Sequence, residues 1–289
     1  MDYVPFKQLY PNNLSDYSNY VLYNNQSSET DKCVVLDIDE TCVHSFEDAM
    51  PSWLRDPEYK DILSNCYEIH PVDAVDDAGT GNILPMWGIR RPHLTEFLVF
   101  CHKYFRHVLV WSAGAKHYVH EVVRAIFTGL PSPTLIYTRD DIPSGPTTKP
   151  LPIIINDDTI RNSGCSLDNT YIIDDRYDYF MNNPNNGVQI PAYSPPMTPE
   201  ALRADDQSLL VLKWWLSQPT VKKSYDIRTL DKSSIFIYSA QYWEQKSANE
   251  NSADYSKSNY SNTVSFNENY SNGINLIDSN AAFTLKSNY

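Results

Sequence analysis

Two acidic pairs in this sequence stand where carboxylates can do chemistry. Asp37 and Asp39 lie in Asp37-Ile38-Asp39-Glu40-Thr41, directly after the apolar run Cys33-Val34-Val35-Leu36, and Asp174-Asp175 follow Thr170-Tyr171-Ile172-Ile173. Two aspartates at such a point suit two jobs, one as nucleophile and metal ligand, the other as proton donor and acceptor. An acidic turn that merely ends a strand is the alternative, and the spacing of the first pair leaves the two readings even. The second pair shifts the balance. Four carboxylates at one edge repel unless a cation sits among them. Hard oxygen ligands with no His or Cys nearby favour Mg2+, which often takes a substrate phosphate as a further ligand. Ser112, after Val110-Trp111, offers a hydroxyl at the same edge. Lys149, in a Pro-flanked loop, either neutralises phosphate charge or is a solvated lysine.

The elements that must position these groups are legible. Cys33–Leu36, Val108–Trp111 and Thr170–Ile173 are continuous apolar runs, as expected of strands buried on both faces. Leu94, Phe97, Leu98, Cys101 and Phe105 recur at helical spacing after Pro92, Val119, Val122, Val123 and Ile126 form a second face ended by Gly129, and Leu209 to Leu216 a late apolar helix. Strands alternating with helices predict an α/β fold with a parallel sheet covered by helices, so the acidic pairs emerge at one carboxyl edge. Tyr67–Val75 and Ile83–Arg90, flanking a loop that contains Gly79 and Gly81, read as a hairpin within an insertion over about 47–90, a flap at the ligand-binding edge.

Composition excludes several classes. The chain has 289 residues and a formal charge of −13, which weighs against non-specific nucleic-acid binding. None of the nine glycines builds a Walker A loop or a dinucleotide-binding Gly-rich turn. Five cysteines, odd in number and never in C-x-x-C, predict a reducing compartment with no disulfide framework and no zinc ribbon. With no signal-like start and no apolar run of ~18 residues, an intracellular protein, cytoplasmic or nuclear and without a membrane partner, is expected. Residues 1–30 and 245–289 are Asn-, Ser- and Tyr-rich and read as flexible tails around a domain of 31–230.

Val34-Val35-Leu36-Asp37-Ile38-Asp39-Glu40-Thr41-Cys42-Val43-His44-Ser45 resembles the first motif of the haloacid dehalogenase superfamily. More narrowly it resembles the NLI-interacting-factor-like phosphatases that act on the C-terminal repeat domain of RNA polymerase II, whose signature is Asp-Leu-Asp-Glu-Thr-Leu-Val-His-Ser. Arg91-Pro92-His93-Leu94-Thr95-Glu96-Phe97-Leu98 is similar to that family's helix after the insertion, Val110-Trp111-Ser112-Ala113-Gly114 to its Thr/Ser motif, and Asp174-Asp175-Arg176-Tyr177-Asp178 to the acidic pair of its larger branch. The family's lysine maps to Lys149, followed here by Pro150-Leu151-Pro152, with Lys116 as competitor inside the helix after Ser112.

The resemblance implies a Mg2+-dependent phosphatase acting on phosphoserine or phosphothreonine in a protein or peptide. Asp37 would form an aspartyl phosphate and Asp39 would shuttle the proton. Mg2+ would be held by Asp37, the Asp39 carbonyl and Asp174/Asp175, with Ser112 and Lys149 stabilising phosphoryl oxygens. Action on small phosphate esters or nucleic-acid termini is one rival. A catalytically silent binding module is another, against which the intact aspartates count. His117 and His120 read as surface histidines, His44 and Ser45 as packing or site-shaping groups. Arg90, Arg91 and Arg176 either read a phosphopeptide or pair with local aspartates.

Overall fold

Alternation along the first strand sets the layers. In the computed structural model, β1 (Cys33–Leu36) sends Val34 and Leu36 to one face and Cys33 and Val35 to the other. The structure describes residues 28–46, 49–75, 81–83, 85–144 and 147–236. Both tail assignments therefore fall mainly outside the described residues, and so does the turn 76–80. β1 is the middle of a five-stranded sheet in the order β10 (Gly187–Gln189), β9 (Thr170–Asp174), β1, β7 (His107–Trp111), β8 (Ile136–Tyr137). Every pairing in it is parallel. The fold is the expected α/β class, a central parallel sheet flanked by helices.

The face of Val34 and Leu36 carries the larger core. It packs against Leu94, Phe97, Leu98 and Cys101 of α2 (Leu94–Tyr104), Val119, Val122 and Ile126 of α3 (Lys116–Ile126), and Leu209, Leu212 and Leu216 of α6 (Ser208–Leu216). The face of Cys33 and Val35 packs with Leu109, Trp111 and Ile172 on Leu151 and Ile154 of α4 (Leu151–Ile155). The shorter helices are α1 (Lys60–Asn65), α5 (Pro199–Leu202) and α7 (Pro219–Lys222). No helix among the described residues is long and apolar enough to cross a membrane.

One expectation needs correction. Cys33 and Cys165 form a disulfide, with Cα atoms 6.2 Å apart and a sequence separation of 132. Spacing rules detect local cysteine motifs, whereas here the sheet brings a strand start against a distant loop, so the argument from cysteine count to a reducing compartment loses its premise. Cys42, Cys66 and Cys101 are buried free thiols. The expected hairpin pairs antiparallel as read, but its ladder is interrupted. β3 (Cys66–Ile69) pairs with β6 (Met86–Arg90), and β4 (Val72–Val75) with β5 (Gly81–Ile83), with Pro71 and Pro85 at the break because neither can donate to a ladder. β2 (Val43–Phe46), not foreseen as a strand, pairs with the other side of β6, giving an antiparallel sheet β2-β6-β3.

Candidate active site

The site is the carboxyl edge of β1, β9 and β7. Asp37 leaves β1 with its N–H donated to the Ile173 carbonyl, 3.0 Å, so the two acidic strand ends stay in register. The chain then wraps around the Ile38 carbonyl, which accepts from the N–H groups of Thr41, Cys42 and Val43. Glu40 takes a left-handed conformation, φ 54°, within this turn. The Thr41 hydroxyl accepts from the Asp175 N–H, 3.1 Å, a second tie between the acidic segments.

Lys149 is fully buried and donates to Asp37 Oδ1 at 2.5 Å and to Asp174 Oδ2 at 2.7 Å. Its main-chain N–H donates to the Tyr179 carbonyl, 2.6 Å, and its ammonium lies 4.4 Å from the centre of the Tyr179 ring. Of the two lysines the sequence offered, this one is at the acidic cluster, while Lys116 opens α3 in solvent. Burial would strip the Lys149 proton, but the charges of Asp37 and Asp174 outweigh it and hold its pKa up at about 12. Asp174 is 0% exposed and its Oδ1 accepts from the Arg176 N–H, 2.9 Å.

Asp37, Asp174 and Asp175 each offer a carboxylate oxygen, and these lie within 4.8 Å of one another. Burial, then the charge of Asp37, raises Asp174 to about 8 against the pull of Lys149. Burial likewise raises Asp37, with Lys149 opposing. Asp175, half-buried, is pushed up to about 6 by burial, Asp37 and Glu40. One lysine does not balance this charge.

Asp39 points elsewhere. Its Oδ2 accepts from the Ser112 hydroxyl, 3.1 Å, and its Oδ1 from the Tyr118 hydroxyl. Burial and the Asp37 charge raise it to about 6, with both hydroxyls opposing. Ser112 in turn accepts from the Gly114 N–H, 2.9 Å. All six residues singled out from the sequence, Asp37, Asp39, Ser112, Lys149, Asp174 and Asp175, thus meet at one edge, joined by Tyr118 and Thr41, which sequence reasoning missed. Tyr118 sits on the apolar face of α3 beside Val119 and Val122, where helical periodicity marks it as core. Thr41 was inside the motif, and only the Asp175 contact distinguishes it.

Of the remaining candidates, His117 and His120 are exposed on α3, and the side chains of the others have partners other than the acidic cluster. His44 Nδ1 lies 3.0 Å from Glu40 Oε1. Arg91 is buried and gives its fork to Asp206, Arg90 donates to the carbonyls of Cys66 and Ala125, and Arg176 pairs with Asp178.

Residues 32–228 match the NLI interacting factor-like phosphatase family. Uncharacterized protein 037R of Frog virus 3 (isolate Goorha) is 26% identical over 204 residues, which is 60% of this chain and 90% of that protein. Among solved structures, Fcp1, described as an essential RNA polymerase II CTD phosphatase, has 19% identity and a TM-score of 0.46, covering 85% of this chain and 71% of its own. A variant of the fission yeast RNA polymerase II CTD phosphatase Fcp1 bound to beryllium fluoride gives 19% and 0.45, with the same coverage. The family match runs from the residue before β1 to beyond α7, taking in every described strand and all six acidic-edge residues, and by it the chain belongs to the NLI interacting factor-like phosphatases.

Proposed function

We propose that this phosphatase hydrolyses phosphoserine or phosphothreonine in protein substrates through an aspartyl phosphate on Asp37, with Mg2+ as cofactor. The observation that carries the reading is the division of labour between the two aspartates of the first motif. Asp37 is 4% exposed and faces Lys149 and Asp174, whereas Asp39 faces hydroxyls. Asp37 attacks phosphorus in line, and Asp39, poised near pH 6, protonates the departing oxygen and then takes a proton from the water that cleaves the phosphoenzyme. Lys149 and Ser112 stabilise the phosphoryl oxygens.

The donor set fits a hard cation: oxygens only, clustered, and carrying more negative charge than Lys149 offsets. Asp37, Asp174, Asp175 and the Asp39 main-chain carbonyl would hold Mg2+. Bound there, Mg2+ supplies charge neutralisation for the incoming phosphate. A protein substrate is supported by the family match and by the first motif's likeness to phosphatases of the polymerase C-terminal repeats, and a net charge of −13 disfavours polynucleotides.

Turnover of an aryl phosphate beside a panel of phosphoserine peptides and small esters, with Mg2+ and with chelator, tests this. Peptide hydrolysis that stops in chelator is expected, and full activity there would remove the metal. In Asp39→Asn, an aryl phosphate, whose leaving group departs with little help, should survive better than phosphoserine and leave a trappable phosphoenzyme. Equal losses on both esters with nothing trapped would overturn the roles given to Asp37 and Asp39.

A further inference from the structure

Behind Asp39 stand three hydroxyls that the chemistry above does not use. The Tyr118 hydroxyl contacts Asp39 Oδ1, Ser45 Oγ lies 2.6 Å from the Tyr118 hydroxyl, and the Tyr67 hydroxyl lies 2.6 Å from Ser45 Oγ. Counting protons fixes every donor. Ionised Asp39 only accepts, so Tyr118 donates to it. Tyr118 then has only lone pairs for Ser45, so Ser45 donates to Tyr118. Ser45 has a single proton, so Tyr67 donates to Ser45. The chain runs one way, from Tyr67 through Ser45 and Tyr118 to Asp39, an order in which each bond polarises the next.

The backbone is shaped to allow it. Ser45, Gly88 and Tyr67 form one rung across β2, β6 and β3. A Cβ on Gly88 would lie 2.4 Å from the Tyr67 hydroxyl oxygen and 2.7 Å from the His44 carbonyl, so the bare middle strand is what lets Tyr67 reach across to Ser45. At the other end, a Cβ on Gly114 would lie 2.7 Å from Tyr118 Cδ1 and 3.1 Å from Ser112 Oγ. Tyr67 is 2% exposed and Tyr118 9%, so neither hydroxyl can easily exchange its partner for water.

We propose that Tyr118 is a positioning residue that fixes the Asp39 carboxylate against Ser112, and that Ser45 of β2 and Tyr67 of β3, within the insertion, fix Tyr118 in turn. The insertion then does more than border the site: it orients the proton-transferring group. This inference rests on the acid–base role of Asp39 proposed above. A hydroxyl chain that only filled its own hydrogen bonds would affect stability, or all substrates alike. One that orients Asp39 affects the substrate whose leaving group needs the proton.

The test uses the full chain with Tyr118→Phe, Ser45→Ala, Ser45→Thr and Gly88→Ala, alongside Asp39→Asn. For each, kcat and KM are measured on an aryl phosphate and on a phosphoserine peptide, together with Tm. For Tyr118→Phe we expect kcat on the peptide to fall about 30-fold and on the aryl ester no more than about 3-fold, with KM nearly constant, a part of the ~100-fold or greater contribution of general acid–base catalysis. Ser45→Ala should show the same selectivity at about 5-fold, and Ser45→Thr, which restores the hydroxyl, should recover it. Gly88→Ala should mimic Ser45→Ala, and if it does not fold, the Ser45 pair decides. If Asp39→Asn separates the two esters but Tyr118→Phe and Ser45→Ala lower both equally, the positioning role is wrong and the reading of Asp39 stands. If Asp39→Asn does not separate them, both fall.

Discussion

Lys149 shows why a single residue here has both a structural and a chemical consequence. It holds its charge away from water only because Asp37 and Asp174 flank it, and those carboxylates are tolerable there only because it is present. Replacing it by Met leaves two buried carboxylates facing each other. Without divalent cation, Lys149→Met should lose about 3 kcal/mol of stability, the cost of breaking a buried pair by removing one partner. The more negative cluster should bind Mg2+ more avidly, so calorimetry should show a larger Mg2+-induced rise in Tm than in the parent, while phosphatase activity falls at least ~100-fold. An unchanged Mg2+ response would mean that Lys149 and the cation do not balance the same charges.

At the scale of elements, the acidic edge depends on joints outside it. Arg91, between β6 and α2, is buried, and its fork meets Asp206 through Nε to Oδ1, 3.0 Å, and Nη2 to Oδ2, 2.9 Å. The same guanidinium donates to the Thr41 carbonyl, 3.1 Å, and the Pro191 carbonyl, 2.7 Å. It therefore clamps the turn after Asp39 to the chain that leaves β10. A lysine cannot reproduce that planar fork. Arg91→Lys should cost about 3 kcal/mol in chemical denaturation, because Asp206 and two carbonyls lose their partner together. A loss within about 0.5 kcal/mol, as for an ordinary surface change, would show that the clamp does not hold the turn.

For the molecule as a whole, stability should depend on pH with a sign that the cation reverses. Asp39 and Asp175 rise from the ordinary 3.8 to about 6 in the folded chain. Between these values the folded state binds more protons than the unfolded one, so stability falls as pH rises through the window. Asp61 and Asp226 behave oppositely: hydrogen bonds from Arg203 and Arg228 lower them to about 2, so their contribution is lost as pH falls below about 4. Burial lowers His102 to about 4, which opposes the fall in stability with rising pH. Asp39, Asp175 and Asp174, the last raised to about 8, outnumber it, so in chelator Tm should rise from pH 7 towards about 5 and drop below about 4. The Mg2+ proposed above would bind the ionised carboxylates, so with excess Mg2+ the slope between pH 7 and 5 should reverse. The same slope with and without Mg2+ would separate the cation from these groups. Peptide mapping without reductant should link Cys33 to Cys165 and leave Cys42, Cys66 and Cys101 alkylated only after unfolding. Reduction should lower stability by about 3–5 kcal/mol, as for opening a long loop. Recovery of five free thiols would exclude the bridge.

The strands β1, β7 and β9, the apolar faces of α2 and α3, and the acidic residues at the strand ends can all be read along the chain. Each is written in local period, or in a position immediately after an apolar run. A parallel sheet then gathers its strand ends at one edge whatever their separation in sequence, which is why Asp37, Asp39, Ser112, Asp174 and Asp175, from three distant segments, could be expected together. β8 and β10, two and three residues long at the sheet edges, carry no period to read. Tertiary structure alone decided the rest, and in each case through a pairing between residues far apart. The Cys33–Cys165 bridge, the seating of Lys149 between Asp37 and Asp174, and the Ser45–Gly88–Tyr67 rung need particular neighbours across the fold, not a pattern along the chain. Tyr118 makes the reason plain: its ring obeys the helix period and is core, while its hydroxyl serves Asp39, and only the packing of α3 on the sheet edge shows that one side chain does both.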